Sequence, residues 1–522
     1  MAEPLLLPGL GPTRTVAFGG GRPDDFVAGI QAEIRELYRA DGVPWVLGYS
    51  GGKDSTLTTQ LVWGAVAGLP PEQRTKTIHV ITTDTGVENP VISAWVSRSL
   101  THMREAAAAQ GLPFEVHQLR PKVEDAFWTC LIGRGYAAPR PKFRWCTERL
   151  KIRPSNKFIR DVVAAHGEVI LVLGIRKKES TSRALSMARH ERGRVRERLS
   201  PNGSLPNSLV YSPIEALDTD EVWTLLMQYP NPWNQTNKDL LAIYQGASAD
   251  SECPLVVDTS TPTCGDSRFG CWTCTMVSAD KSMQAMISND EEKEWMLPLL
   301  RLRDALDIAD DRHLRDFRRS NGSLLLFNDR LVHGPYTQQA REDWLRRLLH
   351  AQTWIRAHGP DHVRDIELVS QEELCEIRRI WVLDKHEVED SLPGIYLAET
   401  GESYPGPPLD SFLAFDADSM EVLREVCGDD EEMFLGVRAL LGVERKFRTH
   451  SRRAGLFPAL EKVARQFSYA DEEEALAVAR RRAELGRTTE PDEDQLALFD
   501  PDAPAWPPPS RPAASQPPQD QR

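Results

Sequence analysis

The chain has 522 residues, of which 41% are hydrophobic and 27% are charged, a composition typical of a globular protein with two or three domains. It contains no apolar run of about 18 residues, and its N-terminal stretch "MAEPLLLPGLGPTRT" lacks the basic leader of a signal peptide, so we expect a cytoplasmic protein without membrane contact. The net charge of −14 excludes a protein that coats nucleic acid by charge alone.

Residues 1–42 are predicted to form an N-terminal extension and a helix, and from 43 to 244 short apolar runs alternate with segments of helical period. The apolar runs are predicted as buried strands: "VPWVLGY" (43–49), "TIHVITT" (77–83), "FEVHQL" (114–119) and "EVILVLGI" (168–175). Helices are predicted over 55–69 and 91–110, and a further helix has Asp218 as its N-cap and Glu221 three residues on. This alternation predicts an α/β fold, a parallel sheet with helices on both faces that binds ligands at the carboxyl ends of its strands.

The composition changes after residue 244. Residues 245–285 are rich in Gly, Ser, Thr, Pro and Cys and show little periodicity. Residues 286–487 are predicted to be a mainly helical C-terminal region, and the Pro-rich segment 488–522 a disordered tail.

The stretch "LGYSGGKDSTL" (47–57) lies where the first predicted strand gives way to a helix. Glycines there let the backbone approach a ligand closely, and the amides at a helix N-terminus attract anions. Lys53 adds a positive charge, and Ser50 and Ser55 add hydroxyl groups. The pattern predicts a phosphate-binding loop. It is not a Walker A loop, because Leu47 and Asp54 stand where that motif requires Gly and Ser or Thr.

The six residues of this loop resemble the SGGxDS signature of the PP-loop ATP pyrophosphatases, which have an adenine-nucleotide alpha-hydrolase-like fold. The resemblance implies that the loop grips the pyrophosphate end of ATP and that the reaction releases pyrophosphate. The implied nucleotide-binding residues are Ser50, Gly51, Gly52, Lys53, Asp54 and Ser55. Lys53 and Asp54 are expected to be catalytic.

Three later segments resemble motifs of the phosphoadenylylsulfate-reductase branch of this family: "TTDTGVENP" (82–90), "FRWCTERLKIRP" (143–154) and "GIRKKESTSR" (174–183). The resemblance adds Asp84, Gly174 and Arg176 to the expected nucleotide-binding residues. Asp54 and Asp84 are candidates to hold Mg²⁺ with the ATP phosphates, because magnesium prefers carboxylate and phosphate oxygens.

Four of the eight cysteines fall within a stretch of 22 residues: Cys253, Cys264, Cys271 and Cys274. The terminal C-x-x-C pair can place two thiolates on one metal centre. The spacing alone leaves Zn²⁺ and a 4Fe–4S cluster open. Cys146 is flanked by cationic side chains that favour a thiolate, and it is a candidate catalytic sulfur carrier, with a further cluster ligand and a structural cysteine as alternatives.

The segment "CGDSRFGCWTCTMV", following "WCTERLKIRP", resembles the DndC-type sulfurtransferases of bacterial DNA phosphorothioation systems, over roughly residues 40–290. That resemblance implies a 4Fe–4S cluster on the four clustered cysteines. It also implies that a non-bridging oxygen of the DNA backbone is replaced by sulfur. The motifs do not separate this system from the related single-strand phosphorothioation system, which has a similar ATP pyrophosphatase. The implied partners are a cysteine desulfurase as sulfur donor, other phosphorothioation proteins, and DNA, which an acidic chain is expected to contact largely through partner subunits.

In this interpretation ATP adenylates the target phosphate, pyrophosphate leaves into the loop, and a sulfur nucleophile displaces AMP. Three other functions stay open from the sequence. A tRNA thiolase also joins a PP-loop to a cluster, and a reductase of activated sulfate uses the same loop, although no cysteine follows Cys427 to serve in a redox tail. A non-catalytic scaffold would merely sense ATP.

Overall fold

The structure is a computed structural model that describes residue 18 and residues 21–141, 143–179, 181–191, 198–247, 269–409, 415–448 and 453–486. Cys253 and Cys264, two of the four predicted metal ligands, lie outside the described residues, as does the predicted tail.

The first half of the described chain alternates helices and strands. Its elements are α1 (Pro23–Arg39), β1 (Trp45–Gly48), α2 (Lys53–Ala67), β2 (Ile78–Thr83), α3 (Pro90–Gln110), β3 (Phe114–Leu119), α4 (Arg153–His166), β4 (Val169–Val172), α5 (Thr181–Glu191), β5 (Ser200–Pro201), β6 (Ser208–Tyr211), α6 (Thr219–Gln228) and α7 (Asn237–Gly246). All four predicted strands are present. Helix α6 begins with the predicted capping box, in which Asp218 and Glu221 each bond the other's backbone amide.

The strands form one sheet in the order β3-β2-β1-β4-β6-β5. All neighbours are parallel except β5, which pairs antiparallel with β6 at the edge. The sequence analysis did not predict β5 and β6. Strand β5 has only two residues, and β6, although as long as β1 and β4, lies among polar and turn-forming residues. Chain order reverses between β1 and β4, and the crevice at such a reversal is where α/β sheets bind ligands.

Helices cover both faces of the sheet, as predicted. On one face, strand residues such as Leu47 and Val80 pack with α1, α2 and α3 in the main core. On the other face, Val46 and Leu171 pack against Ile159 of α4 in a smaller cluster. The second residue of β1 therefore faces α4 and the third faces α2, the alternation expected of a strand buried on both sides.

The second half of the described chain is mainly helical, as predicted. Its elements are α8 (Lys281–Asn289), α9 (Leu297–Leu306), β7 (Leu326–Phe327), β8 (Arg330–Leu331), α10 (Gln338–His358), α11 (Gln371–Arg379), α12 (Leu392–Thr400), α13 (Ala417–Cys427), α14 (Glu431–Arg448), α15 (Leu456–Gln466) and α16 (Glu472–Gly486). Strands β7 and β8 form a small antiparallel pair. None of the described helices combines the length and the apolar character needed to cross a bilayer.

Two buried tryptophans join the halves into one core. The indole of Trp128, in the segment between β3 and α4, donates a hydrogen bond to the Leu368 carbonyl at 2.8 Å. In return, the indole of Trp381 donates to the Ile132 carbonyl at 2.9 Å. The segment that leads to Cys146 is therefore anchored by the C-terminal helices, which gives those helices a part in shaping the site.

Candidate functional site

The loop after β1 folds back on the first turn of α2. The Ser55 hydroxyl oxygen accepts a hydrogen bond from the Ser50 amide at 3.2 Å, and it donates to the Gly52 carbonyl at 3.0 Å. Gly52 is the N-cap of α2, and glycine has no side chain that could cap the helix. The amides of a helix N-terminus lack intrahelical partners, so this turn in a closed loop is suited to bind an anion.

Gly51 is required by the way α3 holds this loop. Its φ is +74°, and a Cβ built there would lie 2.5 Å from Val96 Cγ2 and 3.3 Å from Trp95 Cδ1. The Trp95 indole donates a hydrogen bond to the Gly51 carbonyl at 3.0 Å. The left-handed conformation and the close packing each exclude a side chain at this position.

Asp54 lies between two cations. Its carboxylate is 3.3 Å from Lys53 Nζ and 2.7 Å from Arg176 Nε. Arg176 is only 2% exposed and also donates to Thr219 Oγ1 at 3.3 Å. A Cβ on Gly174 would lie 2.8 Å from the Asp54 carbonyl oxygen, so the loop after β4 touches the start of α2. In this structure Gly174 and Arg176 therefore position Asp54, and their direct contact with a nucleotide stays a prediction.

Tyr244 of α7 completes this end of the site, and the sequence analysis did not identify it. Its hydroxyl lies 3.4 Å from the Lys53 amide nitrogen, and its ring centroid is 5.5 Å from Lys53 Nζ. A cation over an aromatic ring is attracted to its negative face. The ring of Tyr244 thus stabilises the Lys53 ammonium group beside the loop.

A cavity of about 370 Å³ runs beside the loop at the carboxyl ends of β1, β2 and β4. Its size lies within the range of small-molecule sites. Polar residues that line it come from the loop, from β2 and the segment after it, from α4 and the segment before it, and from the segment after β5: Ser50, Thr82, Thr83, Glu88, Lys151, Ser155, Asn156 and Asn202. Because one end reaches the phosphate-binding loop and the wall is formed by sheet and α4, a nucleotide can be accommodated with its phosphates at Ser50.

Asp84 and Glu88 follow β2 but differ in their surroundings. The Asp84 carboxylate is bound by Arg120 at 2.9 Å and accepts from the Gly86 amide at 3.0 Å. Glu88 lines the cavity, and burial raises the pKa of its carboxyl, with Lys151 acting in the opposite direction. Asp54 and Asp84 are thus both paired with cationic side chains, and their role in holding Mg²⁺ stays a prediction.

The C-x-x-C segment packs directly against the segment that carries Glu88. Glu88 and Cys271 face each other in an antiparallel bridge. The Trp272 amide donates to the Val87 carbonyl at 2.9 Å, and the Asn89 amide donates to the Gly270 carbonyl at 3.3 Å. Glu88 therefore belongs to both sites: it lines the cavity, and its backbone pairs with that of Cys271.

Cys146 joins this pair from a distant part of the chain. Burial raises the pKa of the Cys146 thiol, and the neighbouring Cys274 raises it further. Burial also raises the pKa of the Cys271 thiol; Lys151 and the Thr85 hydroxyl oppose this rise, whereas Glu88 and Cys146 reinforce it. The Cys146 thiol thus lies near both Cys271 and Cys274. We call these three thiols, which adjoin the Glu88 segment of the cavity wall, the thiol site.

The cations that flank Cys146 in the sequence do not activate it in the structure. The guanidinium of Arg149 forms an ion pair with Asp125 and donates to the Tyr136 hydroxyl at 3.0 Å. Because burial outweighs any neighbouring charge, the pKa of the Cys146 thiol is raised rather than lowered. The expected thiolate is therefore not formed by this chain alone, and a bound metal centre is the kind of ligand that deprotonates such a thiol.

The C-x-x-C loop is fixed from the side of α9. Arg303, 1% exposed, donates to the Cys274 carbonyl at 3.0 Å, to the Ser278 carbonyl at 3.1 Å and to the Val277 carbonyl. Thr273, also 1% exposed, has a buried hydroxyl without a hydrogen-bond partner among the described residues. A buried hydroxyl between two cysteines, in a loop held from outside, fits a site whose bound group accepts a hydrogen bond.

Residues 44–276 match the phosphoadenosine phosphosulfate reductase domain family. With the parallel sheet and the loop at 50–55, this match makes the first half of the chain a PP-loop-type domain. The matched range includes Cys146 and the C-x-x-C pair as well as the loop.

Other similarities are weaker. An uncharacterized protein of Methanocaldococcus jannaschii is 27% identical over 202 residues, and the match spans 39% of this chain but only 35% of that relative. A Candida glabrata FMN adenylyltransferase, solved with FAD and inorganic pyrophosphate, is 9% identical with a TM-score of 0.26 and covers 45% of this chain and 66% of its own. A U34-tRNA thiolase from Methanococcus maripaludis, solved with its 4Fe–4S cluster, is 14% identical with a TM-score of 0.25. The match covers 55% of this chain and 82% of the thiolase chain. TM-scores this low carry no argument about this protein.

Proposed function

We propose that this protein is an ATP-dependent sulfurtransferase of a DNA phosphorothioation system. The observation that carries the proposal is the shared wall between the nucleotide cavity and the thiol site, formed where Glu88 pairs with Cys271. An enzyme that activates a group with ATP and then attacks it with sulfur needs these two sites side by side. The match to a domain family named for the reduction of a sulfated nucleotide supports nucleotide-linked sulfur chemistry.

The loop at 50–55 binds the pyrophosphate end of ATP. The uncapped turn of α2 and the Lys53 ammonium stabilise the negative charge that develops as pyrophosphate leaves. Asp54 holds Lys53 in place, and the buried Arg176 holds Asp54. Magnesium would be bound by the phosphates together with one or both of Asp54 and Asp84, since it needs few protein ligands when phosphates are present.

The activation step has a balanced form. A non-bridging oxygen of a DNA phosphodiester attacks the α-phosphorus of ATP, and the bond to pyrophosphate breaks. A sulfur nucleophile then attacks the DNA phosphorus, and AMP departs with the oxygen that sulfur replaces. Lys151, which lines the cavity beside Glu88, is placed to offset the negative charge of the adenylated phosphate.

Cys146, Cys271 and Cys274 would hold a 4Fe–4S cluster, with Cys253 or Cys264 as further ligands. The C-x-x-C pair alone suits zinc as well, and the cluster is preferred because the segment resembles that of the DndC-type sulfurtransferases. Such a cluster would hold a sulfide-level sulfur for the attack. Sulfur that a cysteine desulfurase delivers as a persulfide would reach that level by a two-electron reduction, with the electrons supplied by a cellular dithiol.

The substrate is tested by mass spectrometry of nucleotides from cells that have or lack the gene. We expect sulfur-bearing DNA dinucleotides to disappear on deletion and to return with the wild-type gene or with a Cys427→Ser control, but not with Lys53→Met or Cys271→Ser. Loss of sulfur from tRNA instead would contradict the DNA assignment and favour a thiolase. Pyrophosphate release that does not depend on Lys53 would contradict the proposal that the protein is an enzyme, and it would favour a non-catalytic scaffold.

A further inference from the structure

A second set of metal-ligating side chains lies on β2 and β3, away from the thiol site. In the register of the two parallel strands, His79 is opposite Glu115, and Ile81 is opposite His117. Residues two apart on a strand point to the same face, so Glu115 and His117 share a face. All three side chains lie on the face that α4 covers, because Phe158 of α4 contacts both imidazole rings, at centroid distances of 5.6 and 4.8 Å.

Three ligand atoms, one from each side chain, lie within 4.8 Å of one another. His79 Nδ1 is 3.2 Å from His117 Nε2 and 3.3 Å from Glu115 Oε2. His117 Nε2 is 3.7 Å from the same carboxylate oxygen. Two ligands of a tetrahedral zinc ion, each about 2.0–2.1 Å from the metal, are separated by about 3.3 Å. The triangle formed by the three atoms therefore has the size of one face of a zinc tetrahedron.

The surroundings of the triangle leave room for a fourth ligand. The exposed fractions of the side chains are 12% for His79, 31% for His117 and 58% for Glu115, so one side faces solvent and one side is closed by Phe158.

We propose that His79, Glu115 and His117 bind one Zn²⁺ ion through two nitrogens and one oxygen, with a water molecule as the fourth ligand. The donor set favours zinc over magnesium or calcium, which prefer oxygen ligands alone. The ion would join the edge strand β3 to its neighbour β2, with His79 and Glu115 near the amino ends of these strands and His117 in the middle of β3. This site is independent of the proposed sulfurtransferase activity.

The test uses the full-length chain with its cluster loaded under anaerobic conditions, so that the cysteines are occupied. The protein is equilibrated with zinc chloride, freed of excess by gel filtration and measured for zinc by mass spectrometry. We expect about one zinc ion per chain in the wild type, at least a tenfold lower content in His79→Ala and His117→Ala, and full content in His313→Ala, which replaces an exposed histidine elsewhere.

Two further measurements keep the result interpretable. Zinc K-edge absorption should show only nitrogen and oxygen ligands, and added zinc should raise the melting temperature of the wild type but not of His117→Ala. Circular dichroism of each variant verifies that it is folded, and Glu115→Gln provides a milder change. Zinc that is absent from the wild type, that remains in His79→Ala and His117→Ala, or that has sulfur ligands would overturn the proposal.

Discussion

The Gly51→Ala substitution tests whether α3 clamps the phosphate-binding loop as the structure shows. A methyl group at this position meets Val96 Cγ2 at 2.5 Å, and the backbone must also keep a φ of +74°. Two separate costs therefore arise from one added carbon atom. The clash is relieved only if the loop moves away from α3 or if α3 itself shifts. The hydrogen bond from the Trp95 indole to the Gly51 carbonyl opposes both movements.

The two costs can be separated with a matched control. Placing a non-glycine residue in the left-handed region costs about 1–2 kcal/mol, and overpacking a well-packed region adds roughly 1–3 kcal/mol. Gly111, at the C-terminal end of α3, has a φ of +60° but nothing within 4 Å of a built Cβ. Gly111→Ala should therefore lower the free energy of unfolding only by the first of these two costs. Gly51→Ala should lower it by their sum, roughly 2–5 kcal/mol.

The assay compares urea-induced unfolding of the two variants and the wild type, together with ATP binding by calorimetry. We expect Gly51→Ala to be less stable than Gly111→Ala by about 1–3 kcal/mol and to bind ATP at least tenfold more weakly, because the amides of the loop are displaced. Gly111→Ala should bind ATP as the wild type does. Equal stability of the two variants, with unchanged ATP affinity, would refute the clamped geometry of the loop.

Three other substitutions probe the rest of the site. Asp54→Asn leaves the buried guanidinium of Arg176 without its carboxylate. The free energy of unfolding should therefore fall by roughly 1–3 kcal/mol, and pyrophosphate release should be lost. Pyrophosphate release at the wild-type rate would contradict the role of Asp54. Cys146→Ser should lower the iron content of anaerobically reconstituted protein, whereas Cys427→Ser should not, and equal iron in both would remove Cys146 from the thiol site. Arg303→Met leaves buried backbone carbonyls of the C-x-x-C loop without hydrogen bonds. The free energy of unfolding should therefore fall by roughly 2–4 kcal/mol, and a chelator should remove iron faster. An unchanged rate of iron release would show that α9 does not support the loop.

The sequence predicted those parts of the site that depend on local pattern. Strands β1 to β4 gave clear apolar runs, and the loop at 50–55 joins a strand to a helix within a few residues. Both features are encoded by neighbouring residues, so no knowledge of long-range packing was needed. The capping box of α6, formed by Asp218 and Glu221, was predictable for the same reason.

The parts that the sequence did not reveal depend on distant contacts. Cys271 is brought to Glu88 by an antiparallel bridge across 183 residues, and its neighbour Cys146 comes from a third segment. Tyr244 and Arg303 are single residues in ordinary helices, and only tertiary packing places them at the site. The set formed by His79, Glu115 and His117 depends on the register of β2 against β3, which a pattern of apolar residues does not specify.

The surroundings of Cys146 oppose the activation expected from its flanking cations, for a physical reason. Charges adjacent in sequence are effective only when they are free and close in space, and Arg149 is held by Asp125 instead. Burial then controls the thiol and raises its pKa. The residue is therefore better suited to ligate a metal centre than to act as a free nucleophile.

The central claim is that the nucleotide site and the sulfur site adjoin. It is tested most directly by a crystal structure of the anaerobically reconstituted protein with a non-hydrolysable ATP analogue, measured at the iron absorption edge. We predict the β- and γ-phosphates at the loop formed by residues 50–55, the remainder of the nucleotide in the cavity beside Glu88, and anomalous density for iron at Cys146, Cys271 and Cys274. A nucleotide bound elsewhere, or iron far from the cavity wall, would contradict the account.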